Sequence, residues 1–397
     1  MDKRFFLFLA LAAAVLLITP RLFPPTRTPP SGTSRGDTTA SHRAVDTARG
    51  RAAAAPSVSA PAATSAATAA PQAVAATLDT AQAQAGPGDT IAVRTKRVVY
   101  RFSTVGAALT GSELLDYKAL SKGDGPVQLA RPGSRLVGYQ LLVGGRDTVR
   151  LDRMPFTVDS SALARTGGAG SLTFRTSAAG STVAITYTFS PDSYLVHVRG
   201  SVQGGTAQNR RLLITLPNGL HSEEADTVDD QRHFAYVVKP VRDDARSISF
   251  TKLEPEKAAT QAGPLEWVAS KSKYFVLALF ADTTVAPFSD ATMWLRPDSA
   301  SKVARTADAV VGQPVGANGT FAFDLYTGPQ EWRRLLALGH GFQNVNPYGG
   351  FFRAIVQPFA TIVMRVLLWM HDHLRINYGW VLIIFGVAVR LILWPLN

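Results

Sequence analysis

Apolar and polar positions follow two rhythms along this chain, separated from its start by a long stretch with neither. From about Asp89, runs such as IAVRTKRVVYRFS, TVAITYTFS, YLVHVRGSV, RRLLITL and YFVLALF bring Val, Ile, Phe, Tyr and Thr back at close to every second position. A period of two belongs to a strand with one buried face. Clusters of Gly, Pro, Asp and Asn (GGRD, SPDS, LPNG, PVRDD) punctuate the runs, and these residues favour turns. About a dozen short strands with few helical stretches predict an antiparallel two-sheet sandwich over 89–345. Within it, the 110–120 part of ALTGSELLDYKAL fits a hairpin or a helical turn.

After Gly328-Pro329 the rhythm lengthens. QEWRRLLALG predicts a short helix. In PYGGFFRAIVQPFATIVMRVLLWMHDH, residues Ile355, Phe359, Ile362, Val363, Val366 and Met370 share one helical face. Arg353, Gln357, Thr361 and Arg365 form a polar stripe four residues apart. This pattern predicts an amphipathic helix over 346–374, lying in a membrane interface or packed on the sandwich; its two charges and clean stripe favour the interface. The closing YGWVLIIFGVAVRLILWPLN, within 375–397, is apolar for about 19 residues, roughly 28 Å of helix, which predicts a transmembrane span. Tyr378, Trp380 and Trp394 stand where aromatic belts stand. Arg390 interrupts this run at a cost of about 2.5–3.5 kcal/mol on insertion scales. Either it lines a hydrated groove, on a face shared with Gly386 and Asn397, or it snorkels to the inner interface.

The start of the chain carries a third pattern. Lys3 and Arg4 precede an apolar run from Phe5 to Ile18, the length of a signal-peptide core. Apolar character resumes at Leu22 and Phe23, which favours a retained anchor over 1–23 with its amino end inside. Residues 24–88 are Pro, Ala, Ser and Thr with almost no large apolar side chains. Such a stretch buries too little surface to offset ordering entropy and predicts a disordered tether.

Composition narrows the chemistry. Among 397 residues there is no cysteine, so disulfides, Cys-ligated zinc and thiol catalysis are excluded. The formal charge of +12 is spread without a Lys/Arg block, which argues against a nucleic-acid partner. His197, His221 and His233 occur with Glu223, Glu224, Asp226, Asp229 and Asp230 in the same domain. The run HSEEADTVDD reads as a solvated acidic loop, because neighbouring carboxylates point apart and no His pair has metal spacing. His371 and His373 are expected at headgroup level. The Gly pairs at 144–145, 167–168 and 204–205 fall in turns, with no phosphate-loop spacing around them. No enzyme activity, cofactor or metal is expected.

In this order the residues carry a resemblance. Met1-Asp2 with Arg4, TYTFSPDSYLVHVRGSV, EWVASKSKYFVLALF, LYTGPQ, NPYGGFF and the final arginine-bearing span resemble the amino-terminal part of the YidC-type membrane protein insertases of Gram-negative bacteria. The resemblance implies a membrane-anchored, mostly β chain. An antiparallel β-supersandwich of the sugar-mutarotase superfamily lies in the periplasm. A cytoplasmic amino end and an amino-terminal transmembrane helix precede it; the amphipathic helix and the first core span follow. It implies insertion and folding of inner-membrane proteins, alone or with Sec translocon subunits, without covalent chemistry or cofactor. Nascent membrane proteins and the lipid bilayer are the implied partners, and Arg390 is the groove arginine that attracts their acidic tails. The sequence given ends directly after this span, so the remaining four core spans of the family fall outside it, and these 397 residues alone are expected to be inactive. A membrane-tethered scaffold and a sugar-binding or mutarotase-like module are the rival functions.

Overall fold

The alternating runs pair as strands, and every pairing among the described residues is antiparallel. The computed structural model describes residues 88–121, 125–163, 170–178, 180–205, 209–296, 306–347 and 353–394. The anchor expected over 1–23 and the tether up to residue 87 lie outside them. A four-stranded sheet runs in the order β1 (Thr90–Arg94), β2 (Val98–Ser103), β3 (Ala108–Lys118), β4 (Pro126–Gln128). The second sheet holds β5 (Gly138–Val143), β6 (Asp147–Val149), β7 (Thr157–Asp159), β8 (Gly170–Ala178), β9 (Ser181–Phe189), β10 (Leu195–Gly204) and β11 (Arg211–Leu216). It continues with β12 (Ala235–Pro240), β13 (Arg246–Ser249), β14 (Ala259–Lys271), β15 (Phe275–Ala281), β16 (Phe288–Leu295), β17 (Ala307–Pro314) and β18 (Thr320–Pro329). Its path is β6-β5-β11-β17-β16-β14-β15-β18-β10-β9-β8-β7, with β12 joining β13 and β14 beside it. Strands exceed the dozen read from the pattern because β4, β6 and β7 have three residues each, too few for alternation to register.

The large sheet curls until its ends meet across the core. β5 lies near one end of the path and β9 near the other, yet the hydroxyls of Tyr139 and Tyr187 are 2.7 Å apart. Tyr187 donates onward to the carbonyl of Ala107 at 2.8 Å. The small sheet closes over the same interior: the Phe102 ring lies 4.5 Å from that of Tyr187 and 6.0 Å from that of Phe174. Strand β9 shows the cause in its sequence. Val183, Ile185, Tyr187 and Phe189 are buried on one face, with Thr and Ala between them turned outward.

Two stretches differ from their sequence reading. Residues 108–118 form one strand, β3, instead of a hairpin or helical turn. Its pairing shifts register against both neighbours, between Arg101 and Phe102 on one side and between Leu114 and Lys118 on the other, and these irregularities blur the period of two. The acidic run is no solvated loop: it contains helix α1 (Thr227–Arg232), capped by Asp226, whose side chain accepts from the amide of Asp229 at 2.9 Å. Asp230 is buried and accepts from the amide of Lys273 at 2.9 Å, while Asp229 pairs with the Lys273 ammonium at 2.8 Å. The acidic residues thus hold the turn between β14 and β15.

β15 is buried on both faces because the chain returns over the sheet after β18. Helix α2 (Trp332–Ala337) and a 3-10 turn at Phe342–Asn344 lie there. The Phe342 ring inserts edge-on, 4.7 Å from Phe280 and 5.0 Å from Trp267, and the Trp267 indole donates to the carbonyl of His340 at 3.0 Å. Fully buried aromatic rings of this kind contribute on the order of 2–3 kcal/mol each. They fix the point where the chain leaves the sandwich for two further helices, α3 (Arg353–Leu374) and α4 (Tyr378–Leu393).

Candidate functional site

The exit from the sandwich is tied by side-chain amides. Gln330 donates to the carbonyls of Ser272 and Phe275, both at 2.8 Å, and accepts from Asn346 at 2.5 Å. Further on, Asn344 accepts from Gln357 of α3 at 2.6 Å. At the other end of α3, Asp372 meets Arg333 of α2 at 2.6 Å. Behind α2, the Arg334 and Arg97 guanidinium groups lie 5.4 and 5.7 Å from the Tyr194 ring. The Tyr194 hydroxyl donates to Asp116 at 2.7 Å, and this bond, with the Arg97 pair, lowers the Asp116 carboxyl below its ordinary range.

Helix α3 places its polar and apolar positions in different surroundings. On the polar stripe, Gln357 reaches the sandwich exit, Thr361 bonds back to the carbonyl of Gln357 at 2.8 Å, and Arg365 is exposed. Arg353 is the first residue of the helix. On the apolar side Phe359, Ile362, Val366 and Trp369 are exposed, with Phe359 at 67% and Ile362 at 59%. Met370 is buried, as is Val381 of α4; neither belongs to the sandwich core. A large apolar face left open on a folded chain marks a surface built for lipid or a partner.

The turn between α3 and α4 is fixed locally. His371 donates to the carbonyl of Ile376 at 2.7 Å and stacks on Tyr378 with ring centroids 4.0 Å apart. Asn377 caps α4 by accepting from the amide of Trp380 at 3.2 Å. Along α4, Leu382, Ile383, Ile384, Val387 and Leu391 are exposed. Gly386 and Arg390 stand one turn apart on the same helix, both exposed, with Arg390 in the last turn. Asn397, expected on their face, lies outside the described residues. α4 has 16 residues, roughly 24 Å at 1.5 Å each. Among the described residues no helix is long and apolar enough to cross a membrane.

The histidine and carboxylate candidates do not converge. His197 is paired with Asp324 at 2.7 Å in the large sheet. His221 is half-buried beside Glu223, and desolvation pushes its imidazole below its ordinary range. His233 bonds the backbone of Asp229. Among the described residues no group of three His, Asp or Glu side chains could hold a metal ion. The residues that tie α3 down (Asn344, Arg333 and Asp372) carry no sequence signal, because their partners lie 13 and 39 positions away with no local pattern.

The family model of the YidC periplasmic domain matches residues 90–362. A protein named membrane protein insertase YidC, from Bordetella avium, is 26% identical over 322 residues, covering 80% of this chain and 55% of that protein. The chain spans 55% of that relative's length and 36% of a relative from Chlorobaculum parvum that bears the same name. Among solved structures, YidC from Thermotoga maritima aligns with a TM-score of 0.33 at 16% identity, covering 78% of this chain and 69% of that one. A galactose mutarotase-like protein from Lactobacillus casei aligns with a TM-score of 0.44 at 12% identity, covering 61% of this chain and all of that one. At such scores neither alignment bears on function.

Proposed function

We propose that this chain, which belongs to the YidC periplasmic domain family, serves in membrane protein insertion, with its sandwich on the periplasmic side of the inner membrane and its carboxyl-terminal hairpin in that membrane. The observation that carries this reading is the open apolar surface of α3 and α4, from Phe359 to Leu391, on a chain whose curated relatives bear that name. α3 would lie in the interface, with Gln357, Thr361 and Arg365 toward water and toward the sandwich exit. α4, continued by residues beyond Leu393, would enter the bilayer, and residues 1–23 would anchor the amino end from the cytoplasmic side.

Arg390 has the substrate-facing role in this reading. Among the described residues it has no ion-pair partner, and Gly386 one turn away leaves room beside it. An arginine held at the edge of hydrocarbon keeps its charge and presents five donors in a planar fork suited to carboxylates. Acidic tails of nascent membrane proteins are therefore its proposed partners, with Asn397 completing the polar line if the helix continues. Translocon subunits are proposed to meet the sandwich.

A photo-cross-linking residue at Val387 of the native gene product tests this in living cells. Cross-links to a nascent single-span protein with an acidic amino-terminal tail are expected to fall at least tenfold in Arg390→Ala and to persist in Arg390→Lys. Equal yields in all three chains, at equal membrane levels, return Arg390 to a lipid-anchoring role.

A further inference from the structure

A trough of about 590 Å³ crosses β5, β11, β17 and β16 on the face of the large sheet turned away from the core. Its floor is low. Val310 of β17 stands opposite Thr215 of β11, which stands opposite Gly138 of β5. Gly138 adds no side chain to that row, and a Cβ there would meet the Thr215 hydroxyl at 2.8 Å. At the β16 end Trp294 stands opposite Asp308, partly exposed and outside the sandwich core. At the β5 end the chain before β5 brings Arg135, and the residues after β6 bring Arg150 and Asp152.

The charges of the trough do not cancel. Arg150 holds Asp152 by two bonds, Nε to one carboxylate oxygen at 2.9 Å and Nη2 to the other at 2.7 Å. Arg296 lies 3.4 Å from Asp308, whose other oxygen accepts from the amide of Asn218 at 2.8 Å. Arg135 donates to the backbone carbonyl of Asp152 at 2.7 Å and, among the described residues, forms no ion pair. Three guanidinium groups therefore face two carboxylates, and the uncompensated one stands at the β5 end.

We propose that this trough receives an acidic, extended segment of a partner polypeptide, with a carboxylate on the Arg135 fork and an apolar side chain on Trp294. This goes beyond the insertion role and stands without Arg390. A planar guanidinium with open donors matches a carboxylate bidentately. Three strand intervals separate β5 from β16, about 14 Å at 4.8 Å each, which an extended chain crosses in about four residues. Gln140, Thr215 and Asn218 offer side-chain donors and acceptors between the two ends, and each peptide unit carries one of each. A run of adjacent phosphates fits less well, because Asp152 and Asp308 stand beside the guanidinium groups. A headgroup of the membrane that the hairpin would enter is also remote. β14 begins at Ala259, opposite Met293 at the trough's edge, and ends 13 residues on at Lys271, near the sandwich exit, roughly 40 Å along the sheet.

The test uses the full chain in a neutral detergent at low salt. The probe is a fluorescein-labelled peptide with paired aspartates and, four residues on, a leucine; its asparagine counterpart and inorganic phosphate are the comparison ligands. Fluorescence anisotropy is expected to show saturable binding of the acidic peptide. That binding weakens at least tenfold in Arg135→Ala, in Trp294→Ala and in the asparagine counterpart. A benzophenone replacing the leucine is expected to cross-link within 292–296 or 308–310. Absence of saturable binding overturns the proposal, as does binding unchanged in both variants or equal affinity for the asparagine peptide or for inorganic phosphate. Cross-links confined to the hairpin overturn it too, and would leave acidic segments to Arg390 alone.

Discussion

Lys271 shows how one residue sets a pH dependence for the whole sandwich. It ends β14 with its side chain buried against Asp230 and helix α1, its ammonium 3.4 Å from the carbonyl of His233. Desolvation holds its pKa down to about 8, against the pull of Asp230. The unfolded chain keeps the ordinary lysine value near 10.4, so between the two values it binds the proton that the folded chain has released. Stability therefore rises with pH from about 8 until tyrosines of the unfolded chain begin to ionise near 10. The expected rise is on the order of 2 kcal/mol, read as the urea midpoint of intrinsic fluorescence between pH 7.5 and 9.5. In Lys271→Met the slope over that window disappears; a slope equal to that of the parent chain assigns the effect elsewhere. None of this was legible in the sequence. Lys271 and Lys273 sit two apart in EWVASKSKYF, so they share a face of a straight strand, and only the turn held by Asp230 separates a buried ammonium from a partly exposed one. By contrast, the one-turn spacing of Gly386 and Arg390 was legible, since a single helix fixes it without reference to the rest of the fold.

At the scale of elements, α3 presents a helix whose faces follow its own sequence and whose position does not. The four-residue spacing from Arg353 to Arg365 gave the helix and its stripe. What pins it are contacts with the sandwich exit: Gln357 to Asn344 at one end and Asp372 to Arg333 at the other. The exposed ion pair contributes about 0.5 kcal/mol and the amide bond about 1 kcal/mol. Together they decide orientation more than stability. Gln357→Ala combined with Asp372→Ala is expected to raise amide hydrogen exchange through α3 about tenfold, while the melting temperature of the sandwich moves by less than about 2 °C. Unchanged exchange would mean that lipid alone fixes the helix. The same division holds in the β domain. Alternation carries the antiparallel sandwich, but β3 has no clear period because its register shifts twice, and α1 leaves no trace in the sequence because Asp226 caps it inside a run that reads as uniformly acidic.

For the molecule as a whole, the sandwich satisfies its own apolar surface and the hairpin does not. The sandwich core is closed by Phe342 over β14 and β15, so burial in it ends where the chain leaves for α3. Beyond that point Phe359, Ile362 and Trp369 on α3, with Ile383, Val387 and Leu391 on α4, are more than half exposed. In the proposed function, apolar surface of that extent, at about 25 cal/mol per Å², would favour lipid around the hairpin, and the contacts of Gln357 and Asp372 with the sandwich exit would hold α3 in the interface plane. The absence of cysteine makes the consequence directly measurable, because each introduced cysteine is a unique attachment point for a nitroxide. In vesicle-reconstituted chain, labels at Phe359→Cys, Ile362→Cys and Val366→Cys are expected to relax with oxygen, which concentrates in hydrocarbon. Labels at Thr361→Cys and Arg365→Cys are expected to relax with a water-soluble nickel chelate, giving a period near 3.6 along α3. Labels at Ile383→Cys and Val387→Cys on α4 are expected to read deeper than any on α3. A nickel response on all faces of both helices would leave the hairpin in water and remove the membrane from the proposed function; an oxygen response at Arg365 as strong as at Phe359 would make α3 a span rather than an interfacial helix.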